Sequence, residues 1–138
     1  MDKIVIALNM IIDYVDKVEN VNEKDITDFL YNTGFDDYEV RQTLSILDFN
    51  NFNGDLNIRY FSRLELQKFT NPARNYLQKL NLSGFMDFVS LDKVVEKVLE
   101  HEPYKVGTDA VKQTVLMVLL EKKSFFTQNY FDGDDFVH

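Results

Sequence analysis

The sequence contains no cysteine, no tryptophan and only two histidines among its 138 residues. Without cysteine it can form neither a disulfide nor a thiolate zinc site, and it has no cysteine nucleophile. His101 lies near the end of a predicted helix and His138 is the last residue, so we expect neither to act as a catalytic base. The lack of cysteine fits a reducing compartment, and we predict a cytoplasmic protein.

Two prolines and five glycines are too few for long flexible linkers. We therefore predict a single domain over residues 1–138, with an N-terminal sub-lobe over residues 1–61 and a C-terminal sub-lobe over residues 62–138. The apolar start from Ile4 to Ile12 is too short to cross a bilayer, and no small-residue cleavage site follows it. We expect neither a membrane segment nor a signal peptide.

Charge is distributed unevenly along the chain, whose net charge is −8. Residues 1–58 contain twelve acidic and four basic residues, whereas residues 59–91 contain five basic and two acidic ones. An acidic chain repels phosphate backbones, which disfavours non-specific binding of nucleic acid. The basic middle segment can either bind an acidic partner or dock against the acidic N-terminal part of the same chain.

Apolar residues at helical spacing, together with capping residues, predict three helices in the N-terminal part of the chain. The first ends near Val18. The second begins after Asn22, a capping residue, and ends at Gly34, which is placed to adopt a left-handed conformation. The third begins at Asp36, and Glu39 follows it at the spacing of a capping box.

Alternating apolar residues at Leu56, Ile58 and Tyr60 follow an Asn-Gly turn and predict a short strand or hairpin. Three helices followed by a turn and a strand is the order of a winged-helix module. We therefore predict a mainly α-helical bundle that has a winged-helix-like N-terminal half and one short β hairpin or strand. The third helix of such a module would read DNA, but its acidic residues here disfavour that function.

The C-terminal half is also predicted to be helical. Ser62 and Glu65 have the spacing of a capping box at the start of one helix. Asn71 is expected to cap the next helix, with Pro72 at its first position, and a single kinked helix is the alternative. Ser90 is expected to cap a further helix.

The last predicted helix begins at Thr108 and is apolar on nearly every side. Its apolar residues are Ala110, Val111, Val115, Leu116, Val118, Leu119 and Leu120. A helix of this composition is expected to be central and buried. The aromatic tail beyond it is expected to add a short helix.

No motif for catalysis or for a cofactor is found. The polar stretch from Asp48 to Arg59 resembles a calcium loop, but it ends in arginine where the loop requires glutamate. The acid pairs Asp36-Asp37 and Asp134-Asp135 are interpreted as complements of helix dipoles and as solvated charge. No phosphate-binding or dinucleotide-binding loop is present. We predict that the protein is not an enzyme and binds neither a metal nor a cofactor.

Six blocks of the sequence occur in the order found in one family: residues 28–37 (DFLYNTGFDD), 57–60 (NIRY), 73–74 (AR), 82–85 (LSGF), 94–98 (VVEKV) and 115–119 (VLMVL). On these blocks, the stretch from Ile26 to Lys122 resembles the Smg family, a group of small bacterial proteins of uncharacterised function. Asn75 and Thr114 depart from the family pattern, which has a glycine and a bulky aromatic residue at these positions. The resemblance implies a bacterial cytoplasmic protein, and it carries over no established activity.

The basic segment is the predicted site of a protein–protein interaction or adaptor function. Tyrosine and arginine are frequent anchors of protein interfaces. The candidate partner-binding residues are Arg59, Tyr60, Arg63, Lys68, Arg74, Tyr76 and Lys79. Among them, Tyr60 and Tyr76 are expected to be exposed aromatic residues. The expected partner is another protein with an acidic surface. The alternative is a nucleic-acid-associated accessory protein that uses the same residues, although the net charge disfavours direct binding.

Overall fold

The computed structural model describes residues 2–49, 59–101 and 105–135, with side-chain burial up to residue 123. These residues form seven α-helices, which confirms the prediction of a mainly helical fold. The helices are α1 (Lys3–Lys17), α2 (Glu23–Thr33), α3 (Asp37–Ile46), α4 (Arg63–Gln67), α5 (Asn71–Ser83), α6 (Phe88–His101) and α7 (Thr108–Asp135).

The caps predicted for the N-terminal helices are confirmed. The Asn22 side chain accepts the N–H of Asp25, and Asp36 and Glu39 form a complete capping box. Gly34 ends α2 with a φ of 113°, a left-handed conformation that favours glycine. Both α1 and α2 pack against α3, so the buried faces of the three helices meet.

The winged-helix-like N-terminal half and the β hairpin are not supported. Residues 56–58 of the predicted strand lie outside the described residues, and Arg59 and Tyr60 are not in a strand. The side chain of Asn81, rather than a neighbouring strand, pairs with the N–H and C=O groups of Arg59. A segment with an alternating pattern forms a strand only where another strand supplies its backbone hydrogen bonds. At Arg59 a side chain supplies them instead.

The structure has two helices, rather than one kinked helix, at α4 and α5. Asn71 is the first helical residue of α5, and the cap is Thr70, whose hydroxyl accepts the N–H of Ala73 at 3.3 Å. The prediction of Asn71 as the cap is therefore wrong. The N–H of Thr70 donates to the C=O of Val106 at 2.9 Å, next to an isolated parallel bridge between Phe69 and Val106. This contact with a distant segment holds Thr70 extended and separates the two helices.

The start of α6 lies earlier than predicted. Phe88 is its first residue, and the Asp87 carboxylate accepts the N–H of Ser90 at 2.9 Å. Asp87 therefore has the capping role that was predicted for Ser90, which is buried in the first turn. The Asp48 carboxylate accepts the N–H of Asp87 at 2.9 Å and so fixes the start of α6 next to the end of α3.

The central position predicted for the last helix is confirmed. Val111, Val115, Val118 and Leu119 are buried and lie along one side of α7. α7 packs against α1, α3, α5 and α6. It continues to Asp135, so the predicted short tail helix is an extension of α7.

Among the helices that the structure describes, none is both long enough and apolar enough to cross a membrane.

Substitutions at the start of α5 test which residue caps it. Thr70→Ala removes the hydroxyl that accepts the N–H of Ala73, and it should lower the free energy of unfolding by about 1 kcal/mol. Asn71→Ala is the matched control and should change this energy by less than about 0.5 kcal/mol, because Asn71 is exposed and does not cap the helix. Urea unfolding followed by circular dichroism measures both. A larger loss for Asn71→Ala would contradict the assignment.

Candidate functional site

Arg59, the first of the candidate residues, is buried by intramolecular ion pairs. Only 9% of its side chain is exposed, because Glu65 on α4 and Asp92 on α6 hold the guanidinium between them. Nη1 and Nη2 donate to the two carboxylate oxygens of Glu65 at 3.0 and 2.7 Å. Nε and Nη2 donate to one oxygen of Asp92 at 3.2 and 3.0 Å. The planar guanidinium suits this arrangement, because its donors lie in a fixed fork.

The backbone of Arg59 is held by α5. Its N–H donates to Oδ1 of Asn81 at 2.9 Å, and its C=O accepts from Nδ2 of Asn81 at 2.6 Å. The Phe61 ring centre lies 5.0 Å from the guanidinium carbon, which is a cation–π distance. We call Arg59, Glu65, Asn81 and Asp92 the Arg59 network. It joins the segment before α4 to three helices.

The ion pairs of the Arg59 network shift its protonation equilibria. The hydrogen bond from Arg59 is the main reason why the pKa of Glu65 lies below its usual value, although burial opposes this shift. The hydrogen bond to Glu65 is likewise the main reason why the pKa of Arg59 is raised. Glu65 also accepts the backbone N–H of Ser62 at 2.9 Å, which further favours its charged form.

Tyr76 and Lys79 contact the C-terminal part of α1. Tyr76 is 1% exposed and its hydroxyl donates to the C=O of Ile12 at 2.9 Å, so the interpretation of Tyr76 as an exposed aromatic residue is wrong. Nζ of Lys79 donates to the C=O groups of Val15 and Asp16 at 3.3 and 3.1 Å. The partial negative charge at a helix C-terminus favours a lysine there. These two residues therefore dock against the N-terminal part of the same chain, which is one of the two alternatives predicted for the basic segment.

The other four candidate residues differ in exposure. Tyr60 is 79% exposed, Arg63 and Lys68 are exposed, and Arg74 is half-buried. Arg63 and Lys68 form no ion pair with any other residue that the structure describes. Nε of Arg74 is buried and has no hydrogen-bond partner in the described part of the chain. The seven candidate residues therefore do not form one surface.

Three exposed apolar residues that the sequence reasoning missed lie close along the chain to members of the Arg59 network. Leu64, which precedes Glu65, is 74% exposed, and Phe88 and Val89 are 46% and 60% exposed. Phe88 precedes Asp92 by one turn of α6, so these two residues lie on neighbouring positions of the helix surface. We define the Arg59 surface as Tyr60, Arg63, Leu64, Lys68, Phe88 and Val89.

The helical spacing of apolar residues in the sequence connects only one of these three residues, Phe88, to the helix on which it lies. Phe88, Leu91 and Val95 are spaced as i, i+3 and i+7, so the apolar stripe of α6 extends back to Phe88. A helix predicted to begin after Ser90 leaves this residue out. Leu64 lies on a helix of five residues, which is too short to show a helical period.

Neither of two grooves in the described part of the chain resembles an active site built on a pair of carboxylates. One groove of about 370 Å³ lies between α1 and α7, and another of about 280 Å³ lies between the α1–α2 connection and α5. Their acidic lining residues are Asp13 and Glu19 respectively, and Asp13 is paired with Lys112 at 3.0 Å. An acid–base pair requires two such groups at one site. The described residues also contain no group of three or more potential metal ligands.

Comparison with known proteins assigns the chain to a family. The family described as "Protein of unknown function (DUF494)" matches residues 5–132. The chain belongs to this family. It is similar to a "Protein Smg homolog" from Colwellia psychrerythraea, with 24% identity over 123 residues that cover 78% of each protein. It is also similar to a "Protein Smg homolog" from Halorhodospira halophila, with 27% identity over 101 residues, or 67% of this chain and 65% of the relative.

These matches confirm the resemblance of this chain to the Smg family. The family description indicates no enzymatic class, and the names of the relatives state no ligand or partner. No solved structure matches the chain.

Exchanging arginine for lysine at position 59 tests the Arg59 network. Arg59→Lys keeps the charge but loses the planar fork, and it should lower the free energy of unfolding by about 2 kcal/mol. The cost is smaller than for a fully buried pair because the Asp92 side chain is 51% exposed. Arg63→Lys, at an exposed position, is the control and should change this energy by less than about 0.5 kcal/mol. Equal unfolding energies for the two variants would contradict a structural role of Arg59.

The lowered pKa of Glu65 predicts a stability that depends on pH. In the unfolded chain Glu65 ionises near its usual value of 4.5, and in the folded chain it ionises at a lower pH. Its stabilising effect is therefore complete above pH 4.5 and is lost as the pH falls through the folded-state pKa. Glu65→Gln should be less stable than the unsubstituted chain at about pH 7, and the difference should shrink towards about pH 3.

Urea unfolding at several pH values measures this difference for Glu65→Gln. Glu96→Gln, at an exposed position of α6, is the control and should show little difference at any pH. A difference for Glu65→Gln that stays constant across the acid range would contradict the lowered pKa.

Proposed function

We propose that this protein is a non-enzymatic protein-interaction module that binds an acidic, partly apolar partner protein through the Arg59 surface. The observation that carries this proposal is the exposure of large apolar side chains beside exposed positive charge. Tyr60, Leu64 and Val89 are 79%, 74% and 60% exposed. Exposed apolar residues flanked by polar ones are typical of protein interaction sites.

The charge of the Arg59 surface determines the kind of partner that fits it. Arg59 is paired with two carboxylates, Glu65 and Asp92, so the Arg59 network carries a net charge of −1 and adds no positive field to the surface. Arg63 and Lys68 lie on the exposed side, and no described residue neutralises them. A partner that supplies carboxylates opposite these two residues, with apolar side chains between, complements the surface.

Nucleic-acid association is the weaker alternative. A protein surface that binds the phosphate backbone of a nucleic acid needs several available cations along its length. Of the candidate residues, Arg59 is ion-paired and Lys79 donates to the carbonyl groups of α1. A gel shift at about 50 mM salt that disappears by about 200 mM would favour this alternative over the protein partner.

The bacterial cytoplasm is the proposed location. The absence of cysteine supports a reducing compartment, and the Smg resemblance supports a bacterial source.

Charge reversal tests the proposal. Arg63→Glu/Lys68→Glu should abolish binding of the native partners, because it places like charges opposite the partner's carboxylates. Lys24→Glu/Arg41→Glu makes the same change of charge at exposed positions of α2 and α3. Affinity purification from the native cell with quantitative mass spectrometry compares both variants with the unsubstituted chain.

The expected result is that the same acidic proteins are captured by the unsubstituted chain and by Lys24→Glu/Arg41→Glu and are lost from Arg63→Glu/Lys68→Glu. Circular dichroism of each variant confirms that it is folded. Equal loss in both variants would mean that net charge, rather than the Arg59 surface, determines binding, and unchanged capture would remove the proposal.

A further inference from the structure

A second surface, separate from the Arg59 surface, lies between the α1–α2 connection and α5. It is the groove of about 280 Å³, which Glu19, Asn20 and Val21 line on one side. On the other side Asn75, Gln78, Lys79, Leu82 and Ser83 line it. These α5 residues are spaced three, four, seven and eight residues from Asn75, so they form one face of the helix.

Carboxamide side chains are the main polar groups of this groove. Asn20, Asn75 and Gln78 are exposed, and none of their side chains hydrogen-bonds to another residue in the described parts of the chain. Each carboxamide carries both a donor and an acceptor, as a peptide group does. Asn75 and Gln78, which lie about one turn apart on α5, can therefore pair with N–H and C=O groups of an extended chain, while Asn20 lies on the other side of the groove.

The opposite wall of the groove offers backbone groups as well. The connection leaves α1 at Val18 with φ and ψ of −109° and 151°, and it enters α2 at Asn22 with −146° and 162°. The N–H and C=O groups of Glu19, Asn20 and Val21 make no backbone hydrogen bond within the described ranges. The chain bends at Glu19 and Asn20, so this wall offers single donor and acceptor groups to a bound peptide rather than the edge of a strand.

The groove is also nearly neutral and has an apolar contact. Glu19 and Lys79 carry opposite charges, and Nζ of Lys79 already donates to the carbonyl groups of Val15 and Asp16. Leu82 is 51% exposed at its edge, which leaves room for one apolar side chain. An uncharged segment therefore suits the groove better than the acidic partner proposed for the Arg59 surface.

We infer that this groove binds a short, uncharged, extended peptide segment, mainly through the peptide's backbone. Asn75 and Gln78 pair with its N–H and C=O groups, single backbone groups of the connection pair with another of its peptide groups, and Leu82 contacts one apolar side chain. Because the backbone is recognised, binding tolerates many sequences. The inference does not depend on the function proposed for the Arg59 surface.

Nuclear magnetic resonance with a defined pair of peptides tests the inference. The first probe is acetyl-Ser-Val-Thr-Val-Ser amide, and the second is the same peptide with N-methyl groups on its three central residues. The first should shift the side-chain NH₂ signals of Asn75 and Gln78 and the backbone signal of Val21. N-methylation removes the donors, so the second probe should bind at least about tenfold more weakly.

Matched substitutions separate the groove from non-specific contacts. Asn75→Ala/Gln78→Ala should weaken binding of the first peptide by at least about tenfold. Asn32→Ala/Gln42→Ala removes one exposed asparagine and one exposed glutamine from α2 and α3, and it should leave binding unchanged. Absence of the shifts at millimolar peptide, equal binding of both peptides, or equal loss in both variants would overturn the inference.

Discussion

The guanidinium of Arg59 donates to carboxylates on two helices, while the backbone of the same residue exchanges two hydrogen bonds with Asn81 on a third. A buried arginine without partners would carry a desolvation cost of several kcal/mol. Here Glu65 and Asp92 supply the missing interactions, and the reciprocal contact with Asn81 satisfies the backbone. This one residue therefore links α4 to α5 and α6, which also pack against α7.

The Arg59 network also holds in place the helix that carries the nearby exposed residues. Its one positive and two negative charges leave a net charge of −1, so the positive charge of the nearby surface comes from Arg63 and Lys68. α4 has no buried residue of its own, and Leu64 on it is 74% exposed. A short helix held by an ion pair rather than by packing can present an apolar side chain to a partner. Within the basic segment, the ion-paired Arg59 thus holds in place the helix whose residues Arg63 and Leu64 are exposed.

Local signals predicted much of the fold, whereas tertiary contacts determined what was missed. The caps at Asn22 and Asp36 depend on nearby residues, and a sequence pattern can show them. The cap at Thr70 depends on Val106, and the burial of Arg59 depends on Asp92, which lies far along the chain. Charge counting therefore found the basic segment but could not separate its paired residues from its exposed ones. The division into two sub-lobes stays a prediction.

Amide hydrogen exchange of Arg59→Met tests the central role of Arg59 most directly. The amides of Leu66, Lys68 and Phe69 form the local hydrogen bonds of α4 and its end. If Arg59 holds α4 in place, these amides should exchange at least about tenfold faster in the variant than in the unsubstituted chain, while amides in the middle of α1 change much less. Unchanged exchange in α4, or an equal increase in α1 and α4, would contradict this account.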